Sequence, residues 1–256
     1  MTFLTIALAF ALGAFVQAIA GFGSALVIMP ILTVFIGVQT AASVMALVGA
    51  TVTVLVFWQN RRGLRWREAG LLLCGSVVGI PLGAWALKTL PAAPVVAFLG
   101  VGLLAYALYG FATQGRNQEV ADGYAEPVRA ATWKDRTIGV LVGFSAGLLG
   151  GAYATDGPPL VIYGAVKRWP KESLRAILQA CFFVDGILII LSHGAGGLVT
   201  REVFTYCLYG VPGMLLGLGA GILLDRRINH ALFHRVLLWV IAFLGAGLLA
   251  RGVMSM

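Results

Sequence analysis

The chain has 256 residues, of which 60% are hydrophobic and 11% charged, with a net charge of +8 and a mean hydropathy of +0.94. A soluble domain of this length carries roughly 25% charged residues, so that class is excluded, and several apolar runs of about 20 residues indicate a polytopic all-α membrane protein. The alternating short segments of a β-barrel are not seen, and the basic excess lies in short loops beside apolar segments, which excludes nucleic acid as a partner.

The N-terminal MTFLTIALAF lacks a basic leader and a small-residue cleavage site, so it reads as a first membrane segment. Residues 3–36 carry no charge and are long for one span and short for two. Split at Gly21-Phe22-Gly23 they give two helices of about 17 residues, each about 25 Å long against a hydrocarbon core of about 30 Å. Pro30 interrupts or starts a helix there. The pair either crosses twice or dips in and returns. Residues 39–58 form a full span, 60–68 a basic loop, and 69–87 a span with Gly75, Gly79 and Gly83 at every fourth position, a stripe that admits a second helix closely. Leu90-Pro91 marks a turn, and 94–113 is a further span.

Residues 114–136 are the one long polar stretch, with four basic and four acidic residues, and divide a first membrane repeat (1–113) from a second (137–256). Within this cytoplasmic linker, residues 132–136 can start a surface helix. The second half repeats the order. Residues 137–166 form a short charge-poor pair, 167–175 a basic loop, 176–192 a span, 193–202 a short loop, 203–224 a span with Gly213, Gly217 and Gly221, 225–235 a basic loop, and 236–250 the last span. Residues 143–162 (GFSAGLLGGAYATDGPPLVI) match 14–32 (AFVQAIAGFGSALVIMPIL) with a shift of 129, which pairs Phe15 with Phe144, Gly21 with Gly150 and Pro30 with Pro159.

Five apolar segments per half, eight to ten membrane helices in all, place the loops 60–68, 114–136, 167–175 and 225–235 on one side, with 15 of the 18 Lys and Arg. That side is cytoplasmic and both termini lie outside. Five is odd, so the second half enters the membrane inverted, as in many secondary transporters.

Paired Gly/Pro-broken segments in inverted halves point to a transport site. Where a helix breaks inside the membrane its free N–H groups need a partner and favour an anion, and glycine lets a ligand approach the backbone. This marks Gly21, Gly23, Gly150 and Gly151, with Gln17, Ser24, Thr155 and Gln179 as uncharged hydrogen-bonding groups at depth. Thr53 belongs to the same class; taken singly, each of these polar groups reads as a helix–helix hydrogen bond. Arg175 starts a span at the cytoplasmic edge, either to hold an anion or as an ordinary positive-inside residue. Asp156 and Asp185 are the only carboxylates inside apolar segments and are candidates for proton coupling. The alternative for Asp156 is a helix cap before Pro158, and for Asp185 a structural pairing. Cys74, Cys181 and Cys207 read as small packed residues, and His230 and His234 as surface histidines rather than metal ligands. No cofactor is expected. Walker, GxSxG and HExxH motifs are absent, so the chain does not read as an enzyme.

The paired motif, the inverted duplication, the size and the stretch KESLRAILQ at 171–179 resemble the TauE/SafE-type sulfite and organosulfonate exporter family over nearly the whole chain. The resemblance implies a substrate of the sulfite or sulfonate class. The family's second motif often carries more glycines at its centre; here Tyr153, Thr155 and Asp156 stand there, and an acid beside an anion site fits proton coupling if it is protonated when substrate binds. The expectation is therefore a secondary transporter of the bacterial inner membrane that exports a small organic or inorganic anion, with its site between the two broken pairs and one half rocking against the other. Its partners would be that anion, the lipid bilayer, a coupled proton and, left open, a second copy in a homodimer. The rival readings are a passive small-anion channel, a carrier of another small solute, and a membrane assembly factor or sensor.

Overall fold

The computed structural model describes residues 2–60, 64–121 and 133–255, and among these every regular element is helical. The helices are α1 (Thr2–Ala20), α2 (Ser24–Ile36), α3 (Val38–Asn60), α4 (Trp66–Thr89), α5 (Ala92–Ala121), α6 (Trp133–Tyr153), α7 (Gly157–Val166), α8 (Lys171–Ala195), α9 (Arg201–Leu224) and α10 (His230–Met254). Six of them (α1, α4, α5, α8, α9 and α10) contain apolar stretches long enough to cross a membrane. Residues 61–63 of the first basic loop and 122–132 of the polar linker lie outside the described residues.

The distribution of side chains is that of a protein solvated by lipid. Leu4, Leu8 and Leu12 form an exposed stripe on α1, and Leu108, Leu216 and Phe243 project outward elsewhere. Polar side chains turn inward instead: Gln17, Ser43, Ser76, Gln179, Asp185 and His193 are buried. Without water outside, a polar group is better placed where another protein group can meet it.

Each half opens with a hairpin. Gly23, with φ +94°, lets the chain reverse after α1, and α2 then doubles back so that Ile28 packs on Gly13. Pro30 is accommodated inside α2, whose single helix runs through it. In the second half α7 returns along α6: the Tyr163 hydroxyl bonds the Asp135 carbonyl at 3.5 Å, and Lys167 forms an ion pair with Asp135. Residues 133–136 are thus the first turn of α6 itself, and the hairpin's two ends meet on one side. Both pairs are therefore helical hairpins.

Glycine determines the tightest packing. α4 and α6 run parallel, with Gly75, Gly79 and Gly83 of one against Gly143, Gly147 and Gly151 of the other; a Cβ on Gly147 would lie 2.6 Å from the Ser76 Cα. α9 packs parallel to α1, Gly213 on Ala7 and Gly217 on Ala11. α5 and α10 are antiparallel, with Gly100 near Leu249 and Gly252 near Ala97. The stripes expected to admit close neighbours do so, and their partners come from the other half of the chain. α3 and α8 cross at the centre, where the Ala50 methyl lies 4.0 Å from the position of a Cβ on Gly186.

Helix limits exceed expectation at α5, which runs on to Ala121 in the expected linker, at α10, which starts at His230 in the expected basic loop, and at α8. α8 runs through 171–175, expected as loop, and on to Ala195, so His193 is helical; Gly197, with φ +72°, ends the segment soon after. Fixed charges in the first turn and a Ser-His-Gly sequence in the last look like loop composition, but both turns are held by packing.

Candidate functional site

The two hairpin tips meet at one cavity of about 70 Å³. A water needs roughly 10–15 Å³ on this measure, so the space suits several waters or a small solute. From the first tip come Phe22, Gly23 and Ser24, with Gln17 one turn up α1; from the second come Thr155, Asp156 and Gly157. The crossing helices close the sides, α3 with Ala46, Gly49 and Thr53, α8 with Phe182, Gly186 and Ile189. Small residues on α3 and α8 leave the space open, and Phe22 packs against the apolar clusters on both sides of it.

The two tips differ in chemistry. Gly23 provides no side-chain cap to α2, so the first turn, Ser24 to Leu26, presents the positive end of the helix dipole to the cavity. The Thr53 hydroxyl donates to the Gly49 carbonyl at 3.0 Å. Opposite stands Asp156, at the N-cap position of α7 but without a capping hydrogen bond. The cause is local and covalent. A cap accepts from the second or third helical N–H, and those positions are Pro158 and Pro159, which have none. The carboxyl of Asp156 lies beside that of Asp185 instead. Two ionised carboxylates side by side in a buried site repel each other. Asp185, 1% exposed, accepts from Ser76 Oγ of α4 at 2.5 Å. Asp156 is the front carboxyl, at the cavity wall, and Asp185 the rear one.

The other residues singled out in the sequence surround the cavity without lining it. Gly21, with φ +83°, lies beyond the first tip; the Arg175 side chain fills the place of its missing Cβ. Gln179 Nε2 donates to the Gly21 carbonyl at 3.1 Å, and Arg175 Nη2 to the Ile19 carbonyl at 3.4 Å. Gln179 Oε1 is buried without a partner among the described residues. Gly150 backs Asp156, its absent Cβ lying 3.2 Å from the Asp156 Cβ, and Gly151 is pressed on α4.

Two participants escaped sequence reasoning. Ser76, next to a stripe glycine, reads as packing. His193 reads as loop, yet it is fully buried; Nε2 donates to the Gly151 carbonyl at 2.7 Å, and Nδ1 lies 3.2 Å from Ser43 Oγ of α3. The available signal was helical spacing, since Asp185, Ile189 and His193 follow at every fourth position and share a face of α8.

No curated protein and no solved structure matches the chain. A family profile described as Sulfite exporter TauE/SafE matches residues 5–248, nearly the full length. Together with the inside-out helical architecture, this match means that the chain belongs to the TauE/SafE sulfite exporter family, a family of membrane transporters rather than enzymes.

Proposed function

We propose that the protein is a secondary transporter that exports a small sulfonate or sulfite-like anion across a bacterial inner membrane together with a proton. The observation that carries this reading is the pairing, across one cavity, of the uncapped N-terminus of α2 with the Asp156–Asp185 pair. The helix end attracts the anion. The proton on the carboxyl pair reduces the repulsion the anion would meet from two negative charges. Gln17, Ser24 and Thr155 offer hydrogen bonds to its oxygens, and Gly23 offers close backbone approach.

Residues 1–113 and 137–256 are read as inverted repeats, an arrangement supported by the equivalent hairpins and by the reciprocal packing of α4 on α6 and α9 on α1. Both termini are assigned outside and the basic loops inside, on the distribution of Lys and Arg. Because the halves interlock, alternating access takes place at the hairpin tips and the α3–α8 crossing, rather than by one half rocking against the other as a block.

Reconstitution into proteoliposomes tests the reading. Sulfite or sulfoacetate loaded inside should accelerate entry of the labelled anion by exchange, and net flux should carry protons. Equal flux without exchange acceleration would indicate a passive channel. Exchange without proton movement would sink the coupling and leave a simple anion carrier.

A further inference from the structure

α8 touches both hairpins, and at both ends it grips the same kind of atom. Near its start, Arg175 and Gln179 donate to the carbonyls of Ile19 and Gly21, at the C-terminal end of α1. Near its finish, His193 Nε2 donates to the carbonyl of Gly151, in the last turn of α6. These are the carbonyls a helix leaves without an internal partner when it stops, and lipid does not supply one. In the alignment that pairs Gly21 with Gly150, the gripped carbonyl of Gly151 falls one residue beyond that of Gly21 and three beyond that of Ile19. Between the grips lies Asp185, beside the carboxyl that faces the cavity. From residue 175 to residue 193 the helix advances about 27 Å, most of a hydrocarbon core.

We propose that His193 is the latch that holds the cavity shut at one membrane face, and that Arg175 with Gln179 is the corresponding latch at the opposite face. The assignment deepens the alternating-access reading above and rests on it. His193 acts as a positioning residue: it secures the end of α6, and Ser43 of α3 holds the imidazole from the other side. Releasing His193 frees the second tip from α3 and α8, while releasing Arg175 and Gln179 frees the first. One rigid helix holds both tips at opposite ends, so its movement can loosen one grip while keeping the other. In the topology proposed above, His193 closes the outer face and Arg175 the cytoplasmic one.

A cysteine placed in the cavity tests this without any solute. Ala50→Cys, in a chain with Cys74, Cys181 and Cys207 changed to alanine, is exposed to a membrane-impermeant maleimide in right-side-out and in inverted vesicles. His193→Ala should raise labelling from one face only, and Arg175→Ala with Gln179→Ala from the other face only. The expected rise is about two- to tenfold, the range by which one lost hydrogen bond shifts a two-state equilibrium. His193→Gln, which keeps a donor near the Nε2 position, should restore the parent pattern. Ser43→Ala, a milder change that keeps the imidazole, should expose the same face as His193→Ala. Increased labelling on the same face in both latch variants, on both faces in either, or no increase, overturns the assignment. Loss of sulfite exchange with the labelling pattern intact would instead overturn the substrate reading.

Discussion

Asp156 occupies a capping position that its own sequence makes useless for capping. With Pro158 and Pro159 where the donating amides belong, the carboxyl is left for Asp185 and the cavity. An ordinary N-cap loss costs about 1 kcal/mol; Asp156→Asn should show none of that capping cost and lose proton movement with the anion. Asp185→Asn should likewise give transport that no longer varies with pH, measured as initial flux into liposomes across a pH series. Unchanged pH dependence in both variants would remove the pair from the coupling. Ala154, at the second tip, holds φ +51°, a left-handed conformation that costs a residue with a Cβ about 1–2 kcal/mol. Ala154→Gly should therefore raise the thermal unfolding midpoint in detergent, and a lowered midpoint would mean that the methyl group's packing outweighs the strain. Both aspartates were legible in the sequence, because a carboxyl in an apolar run is conspicuous. Their proximity was not, since it depends on where two distant segments meet, and the idle cap became evident only with the helix start fixed at Gly157.

At the scale of elements, the glycine stripes were readable as contact surfaces and unreadable as to partner. Spacing by four shows that something approaches α4; it does not show that α6 does, from the far side of the linker. The consequence can be measured. Gly79 faces the backbone of Phe144 and Leu148, whereas Gly102 on α5 has no atom within 4 Å of an added Cβ. Gly79→Val should abolish a monodisperse fold, seen by fluorescence-detected gel filtration. Gly102→Ala should preserve it and add up to about 1 kcal/mol from helix propensity. Comparable behaviour of the two variants would show that the α4–α6 approach is not needed. The hairpins were half legible: the break at Gly21-Phe22-Gly23 was visible as composition, while the packing of each return helix on its partner needed the Ile28–Gly13 and Lys167–Asp135 contacts.

The whole molecule is interlocked. α1 packs on α9 and α4 on α6, so neither half keeps its own first and fourth helices together. Residues 1–121 or 133–256 expressed alone should fail to yield a stable membrane protein, and the two expressed together should restore transport. A stable, monodisperse half would contradict the interlocking. The order of elements could be read along the chain because apolar length and loop charge are local properties. The reciprocal packing could not, because it joins residues far apart.

That distance bears on how the protein is made. Ala7 meets Gly213, 206 positions later. At about 5–20 residues per second of synthesis, α1 leaves the ribosome on the order of 10–40 s before its long-term neighbour exists. Throughout that interval the bilayer is its main company, and a helix with no charge on any side, leucines on one flank and alanines on the other, is a segment able to wait there.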